Sequence, residues 1–209
     1  MCIRDRLNTV IFKSIDEERL LLKRKQKNHV IEIVKRQLTT EHLFEKIPGK
    51  GDIFVPNGDY NKLCVIERHG KTDHVSVAPL KGFRIERGAI ATTVSHDSHN
   101  IIVAGDNDGD IVAAVNCLKK LQGGYVIASN GKIIESLPLP IGGLMSNLPS
   151  GVVQRKVKTM IDTARKMGVH DGIDPFITLS FMALPVIPKI RLTDKGLFDV
   201  EKIEMITEN

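Results

Sequence analysis

Tryptophan is absent from the 209 residues, tyrosine occurs twice, and aromatic residues make up only 4% of the chain. That scarcity removes the stacking surface on which single-stranded nucleic acids are held, and a net charge of +5 does not replace it. Much of the positive charge sits in residues 19–27, RLLLKRKQK, a run that reads as a solvated face or a flexible arm. No nucleic-acid partner is expected. Cysteine is scarce as well: Cys2, Cys64 and Cys117 are widely spaced and odd in number, which argues against a disulfide framework and for a reducing compartment, the cytoplasm. No apolar run approaches the roughly 18 residues of a membrane span, and the first residues lack a signal-peptide core, so neither insertion nor secretion is expected. There is no internal repeat, no Gly-x-x-x-x-Gly-Lys phosphate loop and no His-x-His among the seven histidines.

What is present is enough apolar residue, 42%, to build a real core in one domain with an appendage or in two small domains. Residues 106–122 carry the clearest helical period. Ile111, Val112, Val115, Leu118 and Leu121 form one face, with Asp106, Asn107 or Asp108 as cap and Gly123-Gly124 as stop. A second helix is expected over residues 151–167, with Val153, Val157, Met160, Ile161 and Ala164 inward, Gly168 as stop, and Arg155, Lys156, Lys158, Arg165 and Lys166 in solvent. Residues 125–129 and 132–137 flank Asn130-Gly131, a strong hairpin signal because both residues tolerate positive φ. Strands are expected at residues 28–36 and 62–68, with a loop over residues 47–61. Further strands are expected at 176–183 and around 186–190, where Pro185 and Pro188 would confine them to edges or bends. The fold class predicted is α+β (mixed α/β): a sheet with hairpins, one face covered by two or more amphipathic helices, and no TIM barrel. The loop over residues 137–145 carries Leu, Ile and Met among prolines and glycines and is expected to expose an apolar patch.

The chemistry concentrates in residues 88–105, GAIATTVSHDSHNIIVAG, where His96, Asp97, His99 and Asn100 lie between two β-branched runs that read as strands. On a regular strand His96 and Ser98 would face one way and Asp97 and His99 the other, so convergence requires an irregular backbone. Imidazole with carboxylate suits a metal site, a proton relay or an orienting hydrogen bond. The plainer reading is that His96 and Asn100 satisfy buried backbone at a strand end. Glu67, Arg68 and His69 end the strand over 62–68, where they could reach a cleft, or where Glu67 and Arg68 could form an ordinary surface ion pair. Gly142-Gly143 could approach a ligand or simply make a turn.

Residues 88–105 with Lys81-Gly82-Phe83 ahead of them, LPLPIGGLMS at 137–146, LPVIP at 184–188 and RLTDKGLFD at 191–199 together resemble the carboxy-terminal domain of bacterial and archaeal adenine deaminases of the amidohydrolase superfamily. The resemblance covers residues 28–209. It implies an enzyme that hydrolyses adenine to hypoxanthine and ammonia with a metal-activated water in a (β/α)8 barrel that holds manganese or iron. A barrel takes at least about 200 residues, so it is missing here, and the metal ligands with it; no metal site is expected in this chain. The expectation is a fragment, residues 1–6 looking foreign, with 1–46 a linker and return strand from the barrel and 47–209 the carboxy-terminal domain. Isolated, it is expected to be inactive. Its catalytic candidates are His96, Asp97 and His99, its substrate-binding candidates Asn100, Glu67 and His69, and its partners adenine, the missing barrel and further copies in a homo-oligomer. The alternative is a non-catalytic assembly module that braces a hydrolase barrel or its oligomer.

Overall fold

The computed structural model describes residues 6–206, so Cys2 and most of the segment 1–6 lie outside the described residues. In chain order the elements are β1 (Asn28–Ile33), β2 (Thr40–Glu45), β3 (Gly49–Lys50), β4 (Ile53–Phe54), β5 (Tyr60–Ile66), β6 (Val75–Lys81), β7 (Ala89–Thr92), β8 (Ile101–Gly105) and α1 (Asp108–Leu121). They continue as β9 (Gly124–Ser129), β10 (Lys132–Pro138), α2 (Ser150–Lys166), α3 (Pro175–Phe181), β11 (Ile190–Thr193), β12 (Gly196–Asp199) and β13 (Glu204–Met205). Eight strands form one sheet in the order β10-β9-β7-β8-β5-β6-β1-β2. Its neighbours are antiparallel except β1 and β6, which run parallel. A three-stranded sheet, β11-β12-β13, and the β3-β4 hairpin complete an α+β fold that is not a closed barrel.

Alternation along the central strands divides the core in two. Leu63, Val65, Ile90, Ile102, Ala104 and Ile127 point toward α2, α3 and β11, joining Met160, Ala164, Phe176 and Leu192. Cys64, Ile66, Ala91, Ile101, Val103 and Val126 point the other way, onto Ile111, Ala114, Val115 and Leu118 of α1 and onto Val10, Phe12 and Leu20 of the amino-terminal arm. The helices therefore cover both faces, not one. Strands β5, β7, β8 and β9 are apolar at successive positions, and a strand of that kind needs cover on each side. Burial of such side chains stabilises by about 1.5–3 kcal/mol apiece, so this double layer dominates the energetics.

The two expected helices form. Asn107 caps α1 by accepting from the Asp110 N–H at 2.8 Å, and the Asp110 carboxylate in turn accepts from the N–H groups of Asn130 (3.1 Å) and Gly131 (2.7 Å). That contact fastens the β9-β10 turn, where Asn130 and Gly131 take φ of 53° and 72°. On α2, Met160 and Ala164 are buried, with Val153, Val157 and Ile161 packed against the same core. Arg165 is a correction to the solvated basic face: its guanidinium folds back onto the carbonyls of Val169, His170 and Ile173.

Residues 176–183 are not a strand. Asp174 accepts from the N–H groups of Phe176 (3.0 Å) and Ile177 (2.8 Å), Pro175 occupies the first turn, and the cap and proline together start α3 despite its β-branched residues. The last strand of this region begins only at Ile190, beyond both prolines. The 137–145 loop is likewise less exposed than its sequence suggests: Leu137 and Leu139 belong to the core, leaving Met145 outward. Among the described residues no helix is long and apolar enough to cross a membrane.

Candidate functional site

β7 and β8 pair side by side, and residues 93–100 connect them as a tight turn at one end of the sheet. The turn is built by its own polar groups. The Thr93 hydroxyl donates to the Gly143 carbonyl (2.6 Å) and accepts from the Gly124 N–H (2.8 Å). The His99 N–H donates to the Ser95 carbonyl (2.6 Å), and the His96 N–H to the Ser180 carbonyl of α3 (2.9 Å). His99 takes φ of 51°.

This irregular backbone brings together what an extended strand would separate. The His96 ring stacks on Phe181 with centroids 4.8 Å apart, and the His99 ring stands edge-on to His96 at 5.7 Å. Asp97 is exposed between them in sequence, and Asn100 is buried at the start of β8. His69 reaches the turn from the end of β5, its Nε2 donating to the Ser98 carbonyl at 2.8 Å. Burial, the neighbouring His96 and the Arg68 charge hold the His99 imidazole below its ordinary value. It is a ring kept neutral at pH 7.

Glu67 and Arg68 do not pair with each other. Both are buried and face different partners, so the surface ion pair is corrected. Burial pushes the Glu67 carboxyl up, but N–H groups of His69 (2.6 Å), Lys71 (3.1 Å), Thr72 (3.2 Å) and Asp73 (3.4 Å) outweigh it and hold the group below the usual carboxylate range. Glu67 thus braces the turn into β6, its oxygens aimed at backbone. Arg68, 2% exposed, donates from Nε to the His99 carbonyl, from Nη2 to Gly142 (3.1 Å) and from Nη1 to Thr9 (3.4 Å), and burial lowers its pKa to about 10. Gly142 and Gly143 therefore approach this guanidinium.

Three polar atoms of the turn, Ser95 Oγ, His99 Nδ1 and Asn100 Oδ1, are buried with no hydrogen-bond partner among the described residues. Such atoms each cost about 1–3 kcal/mol when left unmet, and three within six residues set this turn apart from the apolar core around it. The constellation offers a neutral imidazole, an exposed carboxylate and a flat stacked ring, a set suited to orienting a planar polar molecule and moving protons on it. It does not suit a metal: among the described residues no three His, Cys, Asp or Glu side chains are grouped to hold one. Sequence reasoning missed Arg68 as the strut of the turn and Phe181 as the stacking partner of His96. The only local signals were a charged residue directly after an apolar strand and a paired glycine.

A family model for the adenine deaminase C-terminal domain matches residues 37–204. Among curated relatives, the adenine deaminase of Desulfitobacterium hafniense is 46% identical over 177 residues, 85% of this chain and 31% of the relative. That of Halalkalibacterium halodurans is 44% identical over 206 residues, covering 97% and 35%. That of Clostridium acetobutylicum is 44% identical over 203 residues, covering 95% and 36%. The chain spans about a third of the length of these relatives.

Proposed function

The chain belongs to the adenine deaminase C-terminal domain family, and from that premise we propose that it serves as the carboxy-terminal part of a cytoplasmic, homo-oligomeric enzyme that hydrolyses adenine to hypoxanthine and ammonia. In this reading the remaining part of the parent protein is a barrel that carries a manganese or iron ion, which activates the attacking water. The residues described here do not fit that ion, so no step through it is assigned to this chain. Residues 1–46 lead back from the barrel and add β1 and β2 to the sheet of the domain over 47–209, and the two parts together close over the barrel's mouth.

The observation that carries the proposal is the incomplete turn over residues 93–100. Among the described residues its buried Ser95, His99 and Asn100 atoms have no partner, and its His96–Phe181 stack and exposed Asp97 belong to the same turn. Set against a barrel mouth, the turn would close the site over adenine. His96 would lie against the purine plane, Asp97 would accept or return a proton at a ring or exocyclic nitrogen, and neutral His99 with Asn100 would hold the heterocycle by hydrogen bonds. Arg68 would keep His99 in place through its carbonyl. Glu67 would act through the turn that positions His69, not on substrate.

The test is ammonia release from adenine by the complete parent protein carrying His96→Ala or Asp97→Asn. Turnover should fall by about a hundredfold, in the range of a lost acid, base or orienting group, while the melting temperature moves by only a few degrees. Full turnover with an early melt in both variants would instead support the assembly-module reading.

A further inference from the structure

Strand β10 is one border of the eight-stranded sheet, with β9 on its inner side and no further strand outside it among the described residues. Only its first half is open. Ile133 is 40% and Ile134 49% exposed, whereas Leu137 is buried in the core. Two adjacent isoleucines on a border strand lay it open to other molecules, and borders ordinarily resist this with charge, proline or a bulge.

β10 has a bulge, and the bulge arranges its charges. Ile133 stands opposite Ala128 of β9 while Glu135 stands opposite Ile127, so Ile134 is the extra residue. Lys132 stands opposite Ser129, two positions from Ile127, and alternate residues of a strand share a face, so Lys132 and Glu135 lie on one face although three apart in sequence. That face is the one toward α2: Ile127 shares its core layer with α2, and Glu135 pairs with Lys156 of α2 at 3.0 Å. Without the bulge the two charges would point to opposite sides of the sheet.

We propose that residues 132–135 form a twofold contact between two copies of this chain, with the axis passing between Ile133 and Ile134. In a contact of that symmetry each residue meets the one that meets it, so an antiparallel arrangement sets Lys132 of each copy against Glu135 of the other and Ile133 against Ile134. The stretch is thus complementary to itself in charge and covers its own isoleucines. The other border fails the same test. β2, TEHLFE, carries Glu41 and Glu45 on one face and no lysine or arginine, so a twofold about Leu43 would oppose acid to acid. The inference gives a surface to the homo-oligomer of the reading above and rests on that part of it, not on the deamination.

Sedimentation velocity of the 209-residue chain tests it. A contact this short buries little surface, so the dimer should form with a dissociation constant of about 1–100 micromolar and loosen as salt rises. Ile134→Lys should weaken it by at least about tenfold. Lys132→Glu and Glu135→Lys each set like charges at both contacts and should weaken self-association by at least about tenfold, yet the two variants mixed should pair again, because each contact then joins opposite charges. Circular dichroism establishes that every variant is folded. A chain that is monomeric at about 500 micromolar overturns the proposal. So does a dimer that all three substitutions leave unmoved, or single variants that stay apart on mixing, and none of these results touches the ammonia test of the parent protein.

Discussion

Arg68 and Gly143 fit one another as side chain and vacancy: a Cβ built on Gly143 would stand 2.7 Å from Nη1 of Arg68 and 2.9 Å from its Cζ. Gly143 also takes φ of 73°, a left-handed conformation that side chains resist. The bare backbone at 143 is what lets the guanidinium lie flat beneath the turn and reach the carbonyls of His99 and Gly142.

Replacing either member should therefore damage the same turn. Gly143→Ala adds backbone strain to a clash and should cost about 1–3 kcal/mol. Arg68→Met leaves the carbonyls of His99, Gly142 and Thr9 without their donor in a buried place and should cost about 2–5 kcal/mol. Urea unfolding midpoints measure both. Two variants as stable as the parent chain would show that the turn does not lean on Arg68.

Alone, the 209-residue chain should release no ammonia from adenine, with or without added manganese or iron. The chemistry of lowering a water's pKa needs ligands that its described residues do not group together. A metal-dependent conversion above the buffer control would move the reaction into this chain.

Stability should fall as the pH drops from 7 to 5. Burial holds His29, His42 and His99 below the ordinary 6.5, so in the window beneath 6.5 the unfolded chain takes up protons that the folded chain refuses. The stability is complete above 6.5 and is lost as the pH falls toward the folded values. Glu67, also held low, contributes in a separate window, below its ordinary 4.5. Denaturant midpoints at pH 7, 6 and 5 give the slope, and His99→Asn should flatten it. A flat profile in the parent chain would refute the account.

Asp174→Ala should cost about 1 kcal/mol, the usual worth of a lost cap, because two N–H donors of α3 depend on that carboxylate. Thermal unfolding against the parent chain measures it. An unchanged midpoint would mean that Pro175 and core packing alone start the helix.

Legibility in the sequence followed locality. α1, α2 and the Asn130-Gly131 turn are written in neighbouring residues, as periodicity, a cap and paired positive φ, and each forms close to its expected bounds. α3 was written locally too, in Asp174-Pro175, but Ile177 and Thr178 gave a competing strand signal, and the cap outweighs it. The cover on both faces was implicit in IIVAG of β8, an unbroken apolar run that no one-sided sheet requires. The site divided the same way. The cluster at 96–100 stood out by its residue types, whereas the roles of Arg68 and Phe181 depend on partners 31 or more residues away, the His99 carbonyl and the His96 ring among them, and no local pattern encodes those.

The place of β1 and β2 outside β6 determines where this sheet can be cut. A chain begun after residue 46 would lose both strands, and Val75–Lys81 would become a border with open main-chain donors and acceptors. The same cut would strip Ile31 and Ile33 from the core they share with Ala78 and Leu80, and would take Thr40 and the Leu38 carbonyl from the buried Arg191. Raw borders of that kind recruit strands from other molecules. Shortened versions of the longer relatives would stay in solution only if the cut falls upstream of Asn28, a rule for dissecting these proteins that their motif-bearing segments alone would not suggest.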